Sequence, residues 1–216
     1  TLNNLVISAN LASSAGGGFY NDRSEVSLSS IAFRGNLVSG YNTGGGMFNH
    51  LASPILSNVL FSGNYAHGAS GLHTDGGDPT LINTTFSGNY GYIAGAMHVD
   101  GGTPTLVNAI FWGNNNTISG GTPTVTYSIV QNGYPGEGNL DVDPLFVEVR
   151  SYNEAPTTAG DYHLRYGSVA TDIGLNTPVV TALDLDGNPR IVDGDRNGVS
   201  TVDLGAYEQL PGDCGP

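Results

Sequence analysis

Five histidines are spread over a chain of 216 residues, and two of them stand in nearly identical words, HTDGG at 73–77 and HVDGG at 98–102. An imidazole and a carboxylate two positions apart lie on the same side of an extended strand. Two such pairs, brought within one interstrand spacing, supply nitrogen and oxygen ligands for Zn²⁺ or a similar borderline cation. The same groups form a general acid/base pair. His73, Asp75, His98 and Asp100 are therefore the candidate catalytic residues. The competing reading is structural. Asp before Gly-Gly is a common turn former, and duplication of a repeat copies the turn with everything around it.

A second constellation lies in DLDGNPRIVDGDRNGVSTVD (184–203). Asp193, Asp195 and Asn197 precede Gly198, with Asp203 downstream. Alternating oxygen ligands and a glycine for the sharp turn suit Ca²⁺. The last acid falls one residue short of the EF-hand position, where Leu204 stands, which argues against a true EF-hand. A structural calcium held by Asp193, Asp195, Asn197 and Asp203 is the metal expectation, with an Asp/Gly-rich turn as the alternative. The sequence requires no other cofactor.

The elements that must position these residues are written as a repeat. VISAN (6–10), AFRGN (32–36), LFSGN (60–64), TFSGN (85–89) and IFWGN (110–114) align, with their Asn residues 26, 28, 25 and 25 positions apart. Each is followed by a second block, GGGFYN (16–21), GGGMFN (44–49), ASGLHT (69–74) and AGAMHV (94–99). A third closes the unit: SPIL (53–56), DPTL (78–81), TPTL (103–106) and TPTV (122–125). Apolar residues alternate over four to six positions between Gly, Asn, Asp and Pro, which is strand periodicity.

A coil of about 25 residues with three strands, stacked on its neighbours, is a parallel β-helix. The expectation is a single-stranded right-handed parallel β-helix of about five regular coils, followed by irregular C-terminal coils that cap that end. Its boundaries are 1–133 for the regular coils, 134–210 for the irregular coils and acidic cap, and 211–216 for a tail.

Equivalent residues then form ladders. Ile7, Phe33, Phe61, Phe86 and Phe111 point inward, as do Phe19, Met47, Leu72 and Met97, and Leu2, Leu28, Leu56, Leu81 and Leu106. Two Asn ladders, 4/58/83/108 (with Ser30 in the second coil) and 10/36/64/89/114, suit corners, where Asn tolerates a left-handed backbone. In this register His73 and His98 join an outward stripe with Tyr20 and Phe48. Beside it runs Asp22, His50, Asp75 and Asp100, so that the two His/Asp pairs face solvent together.

Composition narrows the chemistry. The formal net charge is −13, and all six basic residues are Arg. That disfavours nucleic acid or an anionic membrane as partner. Fourteen of the nineteen acids lie from Glu137 onward. A lyase acting on uronates needs a basic groove, yet the repeats hold only Arg23 and Arg34, and Arg is never neutral enough to be a base. A hydrolase with paired carboxylates at Asp75 and Asp100 stays open. Tyr65, Tyr90 and Tyr92 offer surfaces for a sugar or subunit, or cover their own corner. The single Cys214 forms no intrachain disulfide, and no apolar run is long enough to cross a membrane as a helix.

The FxGN word paired with GG[AG]-apolar resembles the repeats of polymorphic outer-membrane-protein passenger domains and related bacterial secreted right-handed β-helix proteins. NLDVDPLFV (139–147), DYHLRYGSVATDIG (161–174), DLDGNPR (184–190) and VDLGAYE (202–208) are similar, in that order, to β-helix surface proteins with a C-terminal anchor-type module. The resemblance implies a secreted or surface-displayed protein and no particular reaction, since the fold carries lyases, hydrolases, adhesins and spacers alike.

TLNNLVISAN at 1–10 aligns with TLINTTFSGN at 80–89, so the first residues read as the interior of a repeat, from a processed form or fragment. The functional expectation is an extracellular structural or adhesive protein, with the question of enzymatic activity left open. It would assemble head-to-tail with itself, or continue into further repeats, through uncapped coil ends. The alternative is a carbohydrate-active enzyme or glycan-binding module using the His/Asp stripe on surface glycans.

Overall fold

A computed structural model describes residues 1–212; Asp213–Pro216, and with them Cys214, lie outside the described residues. The chain winds as a parallel β-solenoid of about five turns. Three walls run along it. The first stacks Leu2–Ser8, Ser27–Arg34, Ile55–Ser62 and Thr80–Ser87, then the broken pairs Thr105–Val107 with Ile110–Trp112 and Thr124–Thr126 with Ile129–Val130. The short second wall holds Leu11–Ala12, Leu37–Val38, Tyr65–Ala66 and Tyr90–Gly91. The third holds Phe19–Asp22, Met47–His50, Leu72–Asp75, Met97–Asp100 and Ile118–Gly120. Registers within the walls pair the residues that the repeat aligns, such as Phe33 with Phe61 and Phe61 with Phe86.

The interior is made by copying. Phe33, Phe61, Phe86 and Phe111 are fully buried and stack face to face with centroids 4.9, 4.7 and 4.6 Å apart. Ring spacing therefore equals strand spacing, about 4.8 Å, and every aromatic packs on its own copy. Leu28, Leu56, Leu81 and Leu106 fill one flank of this stack, and Met47, Leu72 and Met97 the other.

The two Asn ladders serve different ends. Asn36, Asn64, Asn89 and Asn114 are buried, and each side-chain oxygen accepts from the Asn one coil before it, at 2.9–3.1 Å. The left-handed residue at that corner is the Gly just before, at φ 61, 58, 66 and 74 for Gly35, Gly63, Gly88 and Gly113. In the other ladder the Asn itself is left-handed: Asn4, Asn58, Asn83 and Asn108 lie at φ 53 to 57, with Ser30 at 53. Their amides point away from the core.

What those amides meet was not expected. Most of the segment after Leu140 does not cap the end of the helix. It folds back as a belt along the outer side of the first wall. Asn58 donates to the Leu183 carbonyl (2.6 Å), Asn83 to that of Asp203 (3.0 Å), and Asn108 to that of Leu175 (3.0 Å). Ala32, Leu60, Ile110 and Ile129 of the wall pack against Phe146, Tyr162, Leu164, Leu204 and Tyr207 of the belt, a second apolar core outside the solenoid.

Among the described residues the loop 133–140 closes the end. Tyr134 packs onto the inner core, and the Val130 amide donates to the Leu140 carbonyl at 2.9 Å. Among the described residues no helix is long and apolar enough to cross a membrane.

The belt is pinned by a buried cation. Arg190 is 1% exposed and donates to the carbonyls of Asp203 and Gly205, with its Nε 3.5 Å from Glu208. Burial pushes Glu208 up to about 9 and Asp203 up to about 7, against the pull of Arg190. Burial outweighs the one guanidinium and favours the protonated form of Glu208.

Candidate functional site

The third wall brings the two HxDGG words into register, with His73 beside His98 and Asp75 beside Asp100. One coil earlier stand Phe48 and His50, and before them Tyr20 and Asp22. The glycines answer to geometry alone. Gly76, Gly77, Gly101 and Gly102 are all left-handed, and a Cβ on Gly102 would collide with the Gly77 carbonyl. This half of the motif is a turn, copied because the coils stack.

The His/Asp half converges. His73 Nε2 lies 3.1 Å from Asp100 Oδ2, and His98 Nε2 lies 3.3 Å from Asp100 Oδ1. Each ring is held from behind by a hydroxyl: Nδ1 of His73 by Thr43 Oγ1, and Nδ1 of His98 by Ser119 Oγ, both at 2.7 Å. Thr43 Oγ1 is itself fixed by the Ala69 amide, which donates to it at 2.9 Å. Gly120 leaves room over His98, since a Cβ there would come within 2.9 Å of the ring.

Solvent reaches the four residues unequally. His73 is 9% exposed, wedged edge-to-face between Phe48 and His98 with both centroid distances 5.0 Å, while the Asp100 side chain is 59% exposed. The outward stripe is thus half roofed, because the Thr43 loop and Phe48 close over His73. Burial, reinforced by the neighbouring His98, lowers the pKa of His73, although Asp100 pulls the other way. Burial thus favours the neutral imidazole, the form that acts as ligand or base. Asp75 stands apart from this convergence, bonded to His50 Nδ1 at 2.9 Å.

The acidic loop divides differently. Asp193 accepts the amides of Asn197 and Gly198, and Asp195 accepts both the amide and the side-chain Nδ2 of Asn197, all at 2.9 Å. Asp203 is not beside them. It is fully buried, and its carboxylate receives the amides of Asp172 (2.7 Å) and Gln209 (2.6 Å). Asp172 takes its place, so the carboxylates within 4.8 Å of one another are Asp172, Asp193 and Asp195. Asp193 and Asp195 are engaged by their own loop's amides and Asp172 by the Asp195 amide at 2.6 Å, and an acidic cluster of this kind assigns no ion by itself.

Sequence reasoning missed Asp172 and Thr43, whose roles come from the belt and from a loop, and Ser119, which pairs with His98 on a third-wall strand that does not repeat the HxDGG word. It also missed His163, which bonds Asp161 on its own strand and Asp186 of the DLDGN turn at 2.6 Å. The tyrosines stay in ladders. Tyr65 stacks on Tyr90 at 5.6 Å, Tyr90 lies against Tyr152 of the belt, and Tyr92 stacks on His67 at 5.1 Å.

No protein-family model matches the chain, and neither the curated proteins nor the solved structures contain a match to it.

Proposed function

We propose that this chain is a structural or adhesive module of a secreted or cell-surface protein, extended by stacking on the face of its first coil. One observation carries the reading. The strands Leu2–Ser8, Leu11–Ala12 and Phe19–Asp22 are paired on one side only, and Leu5 is 40% exposed where its counterpart Ile31 is 0%. The first coil therefore has the residues of an interior layer, and an unpaired parallel edge is a template for the next strand. A second copy stacked on this face would satisfy it. At the other end Ile118–Gly120, the last strand of the third wall, is paired on one side only among the described residues, so head-to-tail growth would use that strand edge beside the closing loop.

Sedimentation velocity over a concentration series, with negative-stain microscopy, tests this on the parent and a Leu5→Lys variant. The expected result is concentration-dependent association or filaments in the parent and monomers in the variant. A parent that stays monomeric throughout and degrades a polysaccharide panel would replace this reading with the carbohydrate-active one.

A further inference from the structure

We infer that His73, His98 and Asp100 form a binding site for one borderline divalent cation of the Zn²⁺ class on the outer face of the third wall. Three features of the geometry carry this, and none depends on the scaffold reading above.

The first is the ligand set and its spacing. One ring nitrogen of each histidine and a carboxylate oxygen of Asp100 lie within 4.8 Å of one another, and Nε2 of His73 and Nε2 of His98 stand 3.1 and 3.3 Å from the two oxygens of Asp100. A tetrahedral zinc with bonds of 2.0–2.1 Å has ligand–ligand edges of roughly 3.3 Å. The cluster is therefore already near the size of a coordination polyhedron. Asp100, exposed at the rim, is free to rotate and present one oxygen to both imidazoles.

The second is what stands behind the ligands. Metal-binding imidazoles are oriented by a partner on the other ring nitrogen, which sets the tautomer. Here Thr43 and Ser119 hydroxyls occupy both Nδ1 positions at 2.7 Å. A hydroxyl either donates or accepts. Without a cation, each hydroxyl donates to Nδ1 while Nε2–H bonds Asp100. With one, the hydroxyl accepts from Nδ1–H and the Nε2 lone pair turns to the metal. Either way each Nδ1 keeps its hydroxyl partner.

The third is selectivity and access. Two imidazole nitrogens favour Zn²⁺ over Ca²⁺ or Mg²⁺, which take oxygen. Three protein ligands leave a fourth position on the side of the exposed Asp100, open to water or to an anion from solution. Among the described residues no other histidine joins such a group. His163 has both ring nitrogens committed to Asp161 and Asp186, and Nδ1 of His50 faces Asp75.

The test is isothermal titration of ZnCl₂ into metal-stripped protein, paired with the visible spectrum of the Co²⁺-substituted form. His73 is buried, so the variants are the more accessible His98→Ala and Asp100→Asn, with Asp195→Asn and His163→Gln as controls at the other clusters. One zinc per chain is expected, with affinity reduced about tenfold or more in the first two variants and unchanged in the controls. Co²⁺ should give the intense visible bands of a four-coordinate site. Absence of zinc binding in the parent, or equal binding in parent, His98→Ala and Asp100→Asn, overturns the assignment.

Discussion

Asn64 shows what a single ladder residue contributes. Its oxygen accepts both the amide and the side-chain nitrogen of Asn36, at 3.0 and 3.1 Å, and its own nitrogen donates to Asn89 and to the Phe33 carbonyl, both at 2.9 Å. Every polar atom of a fully buried amide is thus spent on the adjacent coils. Leu has nearly the same shape and none of this capacity, and each buried group left without a partner costs about 1–3 kcal/mol. Asn64→Leu is expected to lower stability by about 3 kcal/mol or more, read as a fall in the urea midpoint at constant slope. Asn10 occupies the same ladder but is exposed, and Asn10→Ala is expected to cost under about 1 kcal/mol. Equal effects at the two positions would show that the ladder does not act through burial. Such ladders were legible in the sequence because each residue's main partner is its own copy some 25 positions away. Thr43 was not legible because it lies in a loop, and Ser119 was not because its strand, though it pairs with His98, carries no repeat word.

Among the elements, the belt strand Asp161–Leu164 is attached to the DLDGN turn through His163. Burial alone would lower the pKa of His163. Its hydrogen bonds to Asp161 and Asp186 outweigh that and raise it above the ordinary imidazole value. A raised folded-state pKa means that the folded chain holds this proton more tightly than the unfolded one. The stabilisation is complete below the unfolded pKa of about 6.5 and is lost as pH rises through the folded value. The melting temperature of the parent is therefore expected to fall between pH 6 and pH 8 by more than that of His163→Gln. Subtracting the two curves removes the contribution of Asp203 and Glu208, whose raised values act in the same direction. Parallel curves would show that His163 does not hold the belt through its charge. The strand-like runs of this segment were readable from their alternation, but their position was not. Asn83 meets the Asp203 carbonyl across 120 residues, and no periodicity encodes a contact made once.

At the scale of the molecule, two kinds of packing are joined. The solenoid is repetitive and buries its own interior. The belt is irregular, carries most of the acidic residues, and covers the first wall while leaving the third wall, with its His/Asp cluster, open. A solenoid wall that faces another layer is apolar on its outer side as well, which explains why Ile110 and Ile129 are fully buried although they point away from the inner core. A chain ending at Leu140 keeps the loop that closes the coil end but uncovers this wall and frees the amides of Asn58, Asn83 and Asn108. Each coil still pairs with its neighbours and retains its Phe stack, so the far-ultraviolet β signal should persist. The uncovered strip should bind a hydrophobic dye strongly, and the melting temperature should drop because the second core is gone. Dye fluorescence and melting both unchanged would mean that the wall does not need its cover. Loss of the whole β signal would instead make the belt part of the folding unit, with solenoid and belt stable only together.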